Sequence, residues 1–124
     1  EQEPAIRLLR RHDRPETLHF IDPPYHPETR ARGHVSRRGQ RIKRYNVEMT
    51  HEDHVELLQV VRDLAGMVVL CGYPHPLYDE ALAGWRRIER PSLADGARPR
   101  VEVLWLNPAA SAASHPVLPF EVAA

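Results

Sequence analysis

The sequence predicts an α/β fold: two parallel strands joined by a crossover helix, then an antiparallel strand pair. Three observations carry this. The short runs Leu18-His19-Phe20-Ile21 and Met67-Val68-Val69-Leu70-Cys71 have the length and near-continuous hydrophobicity of buried strands. Between them His54, Leu57, Leu58, Val61, Leu64 and Ala65 recur at the spacing of one helix face. Near the end, Val101, Val103 and Trp105 alternate with Glu102, Leu104 and Leu106, the period of a strand.

Each element has its own signal. Residues 4–12 suit a short helix with Ile6, Leu8 and Leu9 inward, and Asp13-Arg14-Pro15-Glu16 is a turn. Residues 17–22 form the first strand, apolar enough to be covered on both faces. Thr50 opens the best helix, over 50–65. Thr50 and Asp53 have the spacing of a capping box, and Gly66 stands where a left-handed cap would end the helix. Residues 67–71 are the second strand, completing a βαβ unit whose crossover should be right-handed. A short helix over 77–83 ends at Gly84. Strands over 85–90 and 100–106 are joined by the turn-rich residues 91–99. No internal repeat is evident.

Composition sets the bounds. The 124 residues have room for one domain with a small core. Apolar residues at 42% and charged ones at 27% are ordinary for a globular protein. No apolar run approaches the ~20 residues needed to cross a bilayer, and no signal peptide is visible. Cys71 is the sole cysteine, which excludes an internal disulfide or a cysteine-based zinc site and fits a reducing cytoplasm. The chain opens on Glu1 rather than Met and reads as a fragment or a processed product.

The chemistry centres on Asp22-Pro23-Pro24-Tyr25, at the end of the first strand. Open α/β sheets bind ligands just beyond the carboxyl ends of their strands. The two prolines fix φ and remove two N–H donors. What remains is the Asp22 carboxylate and the Pro23 carbonyl, two acceptors beside the ring of Tyr25. That set suits a flat heterocycle carrying an amino group, hence a nucleobase. The following stretch, 26–44, has no periodicity, and no acidic residue falls between Glu28 and Glu48. Arg30, Arg32, Arg37, Arg38, Arg41, Lys43 and Arg44 supply positive charge there. A solvated loop is the plain alternative; beside a base site, guanidinium groups suit contacts with DNA phosphates.

These residues carry a family resemblance. Asp-Pro-Pro-Tyr after a hydrophobic strand resembles the catalytic motif of DNA adenine methyltransferases that modify the exocyclic amino group. The likeness continues through Tyr45-Asn46-Val47-Glu48-Met49-Thr50, Glu52-Asp53-His54, Cys71-Gly72-Tyr73, Leu77-Tyr78-Asp79-Glu80 and Gly84-Trp85. It ends at Leu104-Trp105-Leu106-Asn107-Pro108. The ordered series covers residues 18–108 and is similar to the Dam-like class, in its phage and bacterial versions.

The resemblance implies a partial Rossmann-like methyltransferase sheet. Residues 1–108 would be the carboxyl-terminal part of the domain, with a basic DNA-contacting loop over 26–44. Residues 109–124 would be an Ala/Pro-rich, poorly ordered tail. It implies S-adenosylmethionine as methyl donor, Asp22, Pro23, Pro24 and Tyr25 as catalytic residues, and Asp22 as a donor contact as well. Double-stranded DNA would be the partner, in a bacterial or phage-infected cytoplasm and in a restriction–modification setting. No metal is needed, since a sulfonium carries its own activation. The target base would flip out of the duplex, and Tyr25 would stack on it. The family's glycine-containing donor loop, ribose-binding acid and target-recognition region have no counterpart ahead of the strand: residues 1–16 contain no glycine. The amino-terminal half of the fold is therefore expected to be missing.

Other readings stay open. The chain could be a catalytically inactive remnant or a DNA-binding module, or an amino-methyltransferase acting on cytosine or RNA. His51 and His54 could be metal ligands, though packing or hydrogen bonding suits His54 better. Cys71 reads as an inert buried thiol. Tyr73 and Tyr78 suit a pocket or a core, Trp85 and Trp105 a core, and Asn107-Pro108 a strand end.

Overall fold

The structure, a computed structural model, describes residues 4–24, 49–94 and 98–114. Eight elements follow in order: α1 (Ala5–Arg11), β1 (Leu18–Ile21), α2 (His51–Asp63), β2 (Met67–Gly72), α3 (Pro76–Ala81), β3 (Arg86–Ala94), β4 (Arg98–Leu106) and α4 (Pro108–Ser114). The strands make one mixed sheet in the order β1-β2-β4-β3. β1 and β2 run parallel, with Ile21 opposite Leu70, while β4 pairs antiparallel with both β2 and β3. The expected α/β architecture is therefore present, with its parallel pair and its antiparallel pair.

Burial has a simple source. Strand alternation turns Val68 and Leu70 of β2 and Val103 and Trp105 of β4 to one face. There α2 lays Leu57, Leu58 and Val61, and Tyr78 of α3 and Leu82 close the cluster. Trp105, at 1% exposure, is the largest side chain inside. Gly72 lies beneath it, where an added Cβ would come within 3.2 Å of the indole.

α2 starts as its sequence predicts. The Thr50 hydroxyl accepts the Asp53 N–H at 3.1 Å, and the Asp53 carboxylate accepts the Thr50 N–H at 2.9 Å. Its end differs. Leu64 is extended, and among the described glycines only Gly84, after α3, has a positive φ, at 87°. Gly66 is required for space instead: a Cβ there would sit 2.6 Å from the Thr17 carbonyl and 2.7 Å from that of Arg14. Ala65, expected inward, is exposed because the helix has already ended.

The turn after α1 serves as a clamp. Asp13 accepts the N–H groups of Ala65 at 2.7 Å and Gly66 at 2.9 Å, and its Oδ1 lies 3.0 Å from His19 Nε2. It thereby ties the start of the chain to the α2–β2 turn.

Three further expectations need correcting. β1 is covered on one face, since His19 is buried but Leu18 and Phe20 are 59% and 65% exposed. It is the outer strand of the described sheet, and no described element lies over those two side chains. In α1, by contrast, Ile6, Leu8 and Leu9 are the half-buried side chains, as expected, and Leu9 packs against the core. Residues 91–94 and 98–99 are not a turn but continue β3 and β4, with Pro91 opposite Val101 and Leu93 opposite Pro99. Those prolines lie two rungs apart, on the same class of rung, and a proline fits where the ladder asks for no N–H. Finally, residues 108–114 form α4, where a poorly ordered tail was expected; residues 115–124 of that tail lie outside the described residues.

Asn107 explains α4. Its Oδ1 accepts the N–H of Val68 at 3.0 Å and of Ala110 at 2.9 Å, while its Nδ2 donates to the Gly66 carbonyl at 2.9 Å. One buried amide thus caps a helix and joins it to the start of β2. Asparagine at the cap with proline behind it is a helix-start signature, a signal that the reading of Asn107-Pro108 as a strand end passed over.

Candidate functional site

Asp22 follows directly on Ile21, so the parallel ladder brings it level with Cys71, at the carboxyl ends of β1 and β2. Alternation turns Leu18, Phe20 and Asp22 away from the core-facing His19 and Ile21. Cys71 likewise lies on the face opposite Leu70 and Gly72. Asp22 and Pro24 are exposed and Pro23 is half-buried. A carboxylate, a carbonyl and two rigid rings therefore stand at the open end of the sheet.

Electrostatics agrees with this placement. Cys71 is half-buried rather than enclosed. Burial pushes its thiol up, and the Asp22 and Glu102 carboxylates push it further. The thiol therefore stays neutral and is a poor nucleophile. The strand order places β2, and Cys71 with it, between β1, which leads into Asp22, and β4, which carries Glu102. This end of the sheet is acceptor-rich and suits a ligand that donates hydrogen bonds.

Beyond Gly72, Tyr73 is half-buried, and the Arg100 guanidinium lies over its ring, 4.7 Å from the centroid. Sequence reasoning missed this pair. Arg100 falls within the strand read over 100–106; what brings it over Tyr73 is the pairing of β4 with β2, which sequence alone does not show. His75, almost fully buried, caps α3 by accepting the Leu77 N–H on Nδ1 at 3.1 Å.

Other candidates separate cleanly. His51 is exposed at the start of α2, whereas His54 is fully enclosed, with Nδ1 2.6 Å from the Tyr78 hydroxyl. Burial holds that hydroxyl well above its ordinary range, so it keeps its proton. His54 and Tyr78 are thus core residues, in edge-on ring contact. Trp105 is core, and Trp85 is packed against it half-buried. Among the described residues, no three His, Cys, Asp or Glu side chains are grouped so as to hold a metal ion. No helix among them is long and apolar enough to cross a membrane. Tyr25 and the basic residues Arg30, Arg32, Arg37, Arg38, Arg41, Lys43 and Arg44 lie outside the described residues. No family model, curated protein or solved structure matches the chain.

Proposed function

We propose that the chain is the carboxyl-terminal part of a Rossmann-like, S-adenosylmethionine-dependent methyltransferase acting on the exocyclic amino group of adenine in DNA. One observation carries the reading. Asp22, followed by two prolines, stands exposed at the carboxyl end of a strand paired in parallel with β2, with α2 between them in sequence. That is where an open α/β sheet places its ligand, and the residues there are acceptors facing solvent.

Their chemistry suits a poor nitrogen nucleophile. An adenine amino group is unreactive because its lone pair is delocalised into the ring. The Asp22 carboxylate and the Pro23 carbonyl accept its two N–H bonds, which favours a pyramidal nitrogen with an exposed lone pair. The carboxylate also stabilises positive charge developing on that nitrogen, an electrostatic effect strengthened where water is excluded. Tyr25, next in sequence, would stack on the extruded base.

S-adenosylmethionine, when bound, supplies the methyl group on a sulfonium. Toward it the described residues offer Asp22 and no glycine-containing loop ahead of β1. The remaining donor contacts are proposed to come from the half of the domain that the resemblance places before this strand. The basic run over 26–44 would hold the DNA backbone without reading its sequence.

The test is direct. The chain, alone and with a donor-binding half supplied, is incubated with S-adenosylmethionine and an adenine-bearing duplex, and the nucleosides are separated by mass spectrometry. Methylation on the adenine amino group is expected. Product on cytosine alone would move the enzyme to the other amino-methyltransferase class. No product with the donor half supplied would leave a DNA-binding module.

A further inference from the structure

We infer that the outer half of the β3–β4 hairpin is a second DNA-contacting element, a ribbon that grips phosphates through Arg100. The inference rests on the proposed function and adds a contact outside the basic run. β4 pairs with β2 only over residues 103–106, whereas its ladder with β3 continues from Glu102 opposite Arg90 to Arg98 opposite Ala94. Five rungs therefore project beyond β2, a two-stranded ribbon of roughly 17 Å at the usual rise per residue. It projects from the sheet end that carries Asp22. Two strand spacings and four residue rises put Arg100 roughly 17 Å from Asp22, about half a turn of duplex away. A two-stranded ribbon is also an element that a DNA major groove admits.

The ribbon has two unlike faces. One carries Arg90 opposite Glu102 and Ser92 opposite Arg100; the other carries Pro91 opposite Val101 and Leu93 opposite Pro99. Arg100 is held rather than loose, with its guanidinium over the Tyr73 ring at the root of the ribbon. Among the described residues it makes no ion pair with a carboxylate. A planar guanidinium fixed against a ring, with its N–H donors uncommitted to a carboxylate, is suited to a phosphate. The acceptor-rich floor at Asp22 and Glu102 favours the base, while Arg100 stands farther out, where a backbone would pass.

The experiment measures duplex binding by the 124-residue chain across a salt series, for wild type, Arg100→Gln and Leu93→Ser, each checked for an unchanged circular dichroism spectrum. Arg100→Gln should lower the slope of log K against log salt by about 1 and weaken binding equally on unrelated sequences. Leu93→Ser should leave the slope unchanged. Wild-type binding with an unchanged slope in Arg100→Gln overturns the ribbon and leaves the proposed function standing. Loss of binding in Leu93→Ser alone also overturns it, because the apolar face then makes the contact. No salt-sensitive binding by wild type overturns the ribbon contact directly, whereas the proposed function is decided by the methylation assay.

Discussion

Replacing Asn107 by alanine removes three hydrogen bonds at once, and their partners differ in what they lose. Ala110 loses a helix cap, worth about 1 kcal/mol. The Val68 N–H and the Gly66 carbonyl are buried at this point, and each left unpaired costs about 1–3 kcal/mol. Asn107→Ala should therefore destabilise the chain by about 3–7 kcal/mol, a large share of the ~5–15 kcal/mol typical of a domain. Asn107→Asp separates the two jobs. Aspartate caps a helix as well as asparagine, but it cannot donate to the Gly66 carbonyl and sets a buried charge against it. It should still cost about 2–3 kcal/mol. Urea unfolding, followed by tryptophan fluorescence and circular dichroism, gives both values provided the m-value is unchanged. A loss under about 1 kcal/mol for the alanine variant, or an aspartate variant as stable as wild type, would refute the link from α4 to the start of β2 and leave Asn107 as an ordinary cap.

Two other substitutions probe the scaffold. The N–H groups of Ala65 and then Gly66, with His19, hold the Asp13 carboxyl below its usual range. A lowered folded value means that its stabilisation is present above about pH 4 and lost as the pH falls through that lower value. Asp13→Asn should thus be less stable at pH 7 and lose less on acidification, as read from melting temperatures between pH 7 and pH 3; parallel curves would contradict the clamp. Tyr78→Phe removes the 2.6 Å partner of His54 Nδ1 inside the core and should cost about 1–3 kcal/mol in urea unfolding. A change below about 0.5 kcal/mol would mean that the contact contributes nothing.

Local patterns were legible where one element decides its own shape. The capping box at Thr50 and Asp53, the helical spacing of Leu57, Leu58 and Val61, and the run from Met67 all appear as read. Properties set by distant partners were not. Leu18 and Phe20 announce a strand, but hydrophobicity does not say what covers it. Gly66 looks like a left-handed cap because it follows a helix; only the nearby carbonyls of Thr17 and Arg14 reveal a demand for space. Asp13 reads as a turn residue, and its main partners lie 52 and 53 positions away. Pro91 and Pro99 argue locally for a turn, yet an outer ladder tolerates them. At the candidate site, the strand-end position of Asp22 and Pro23 was readable from sequence, whereas the Arg100–Tyr73 contact depends on β4 pairing with β2, a non-local choice.

The central claim is that Asp22 is a catalytic carboxylate. Its most direct test is the rate of methyl transfer by Asp22→Asn, with S-adenosylmethionine and the donor-binding half supplied, beside duplex binding by the same variant. The amide keeps the size of the carboxylate but loses its charge, and it can present an N–H where only an acceptor fits. The rate should fall by a factor of roughly 100 to 1,000, with duplex binding largely unchanged. Tyr25→Ala gives the contrasting pattern: it should weaken retention of the extruded base by about 1–3 kcal/mol, read with a fluorescent adenine analogue at the target position. An Asp22→Asn protein that methylates at near wild-type rate would contradict the account and leave Asp22 as the residue that ends β1.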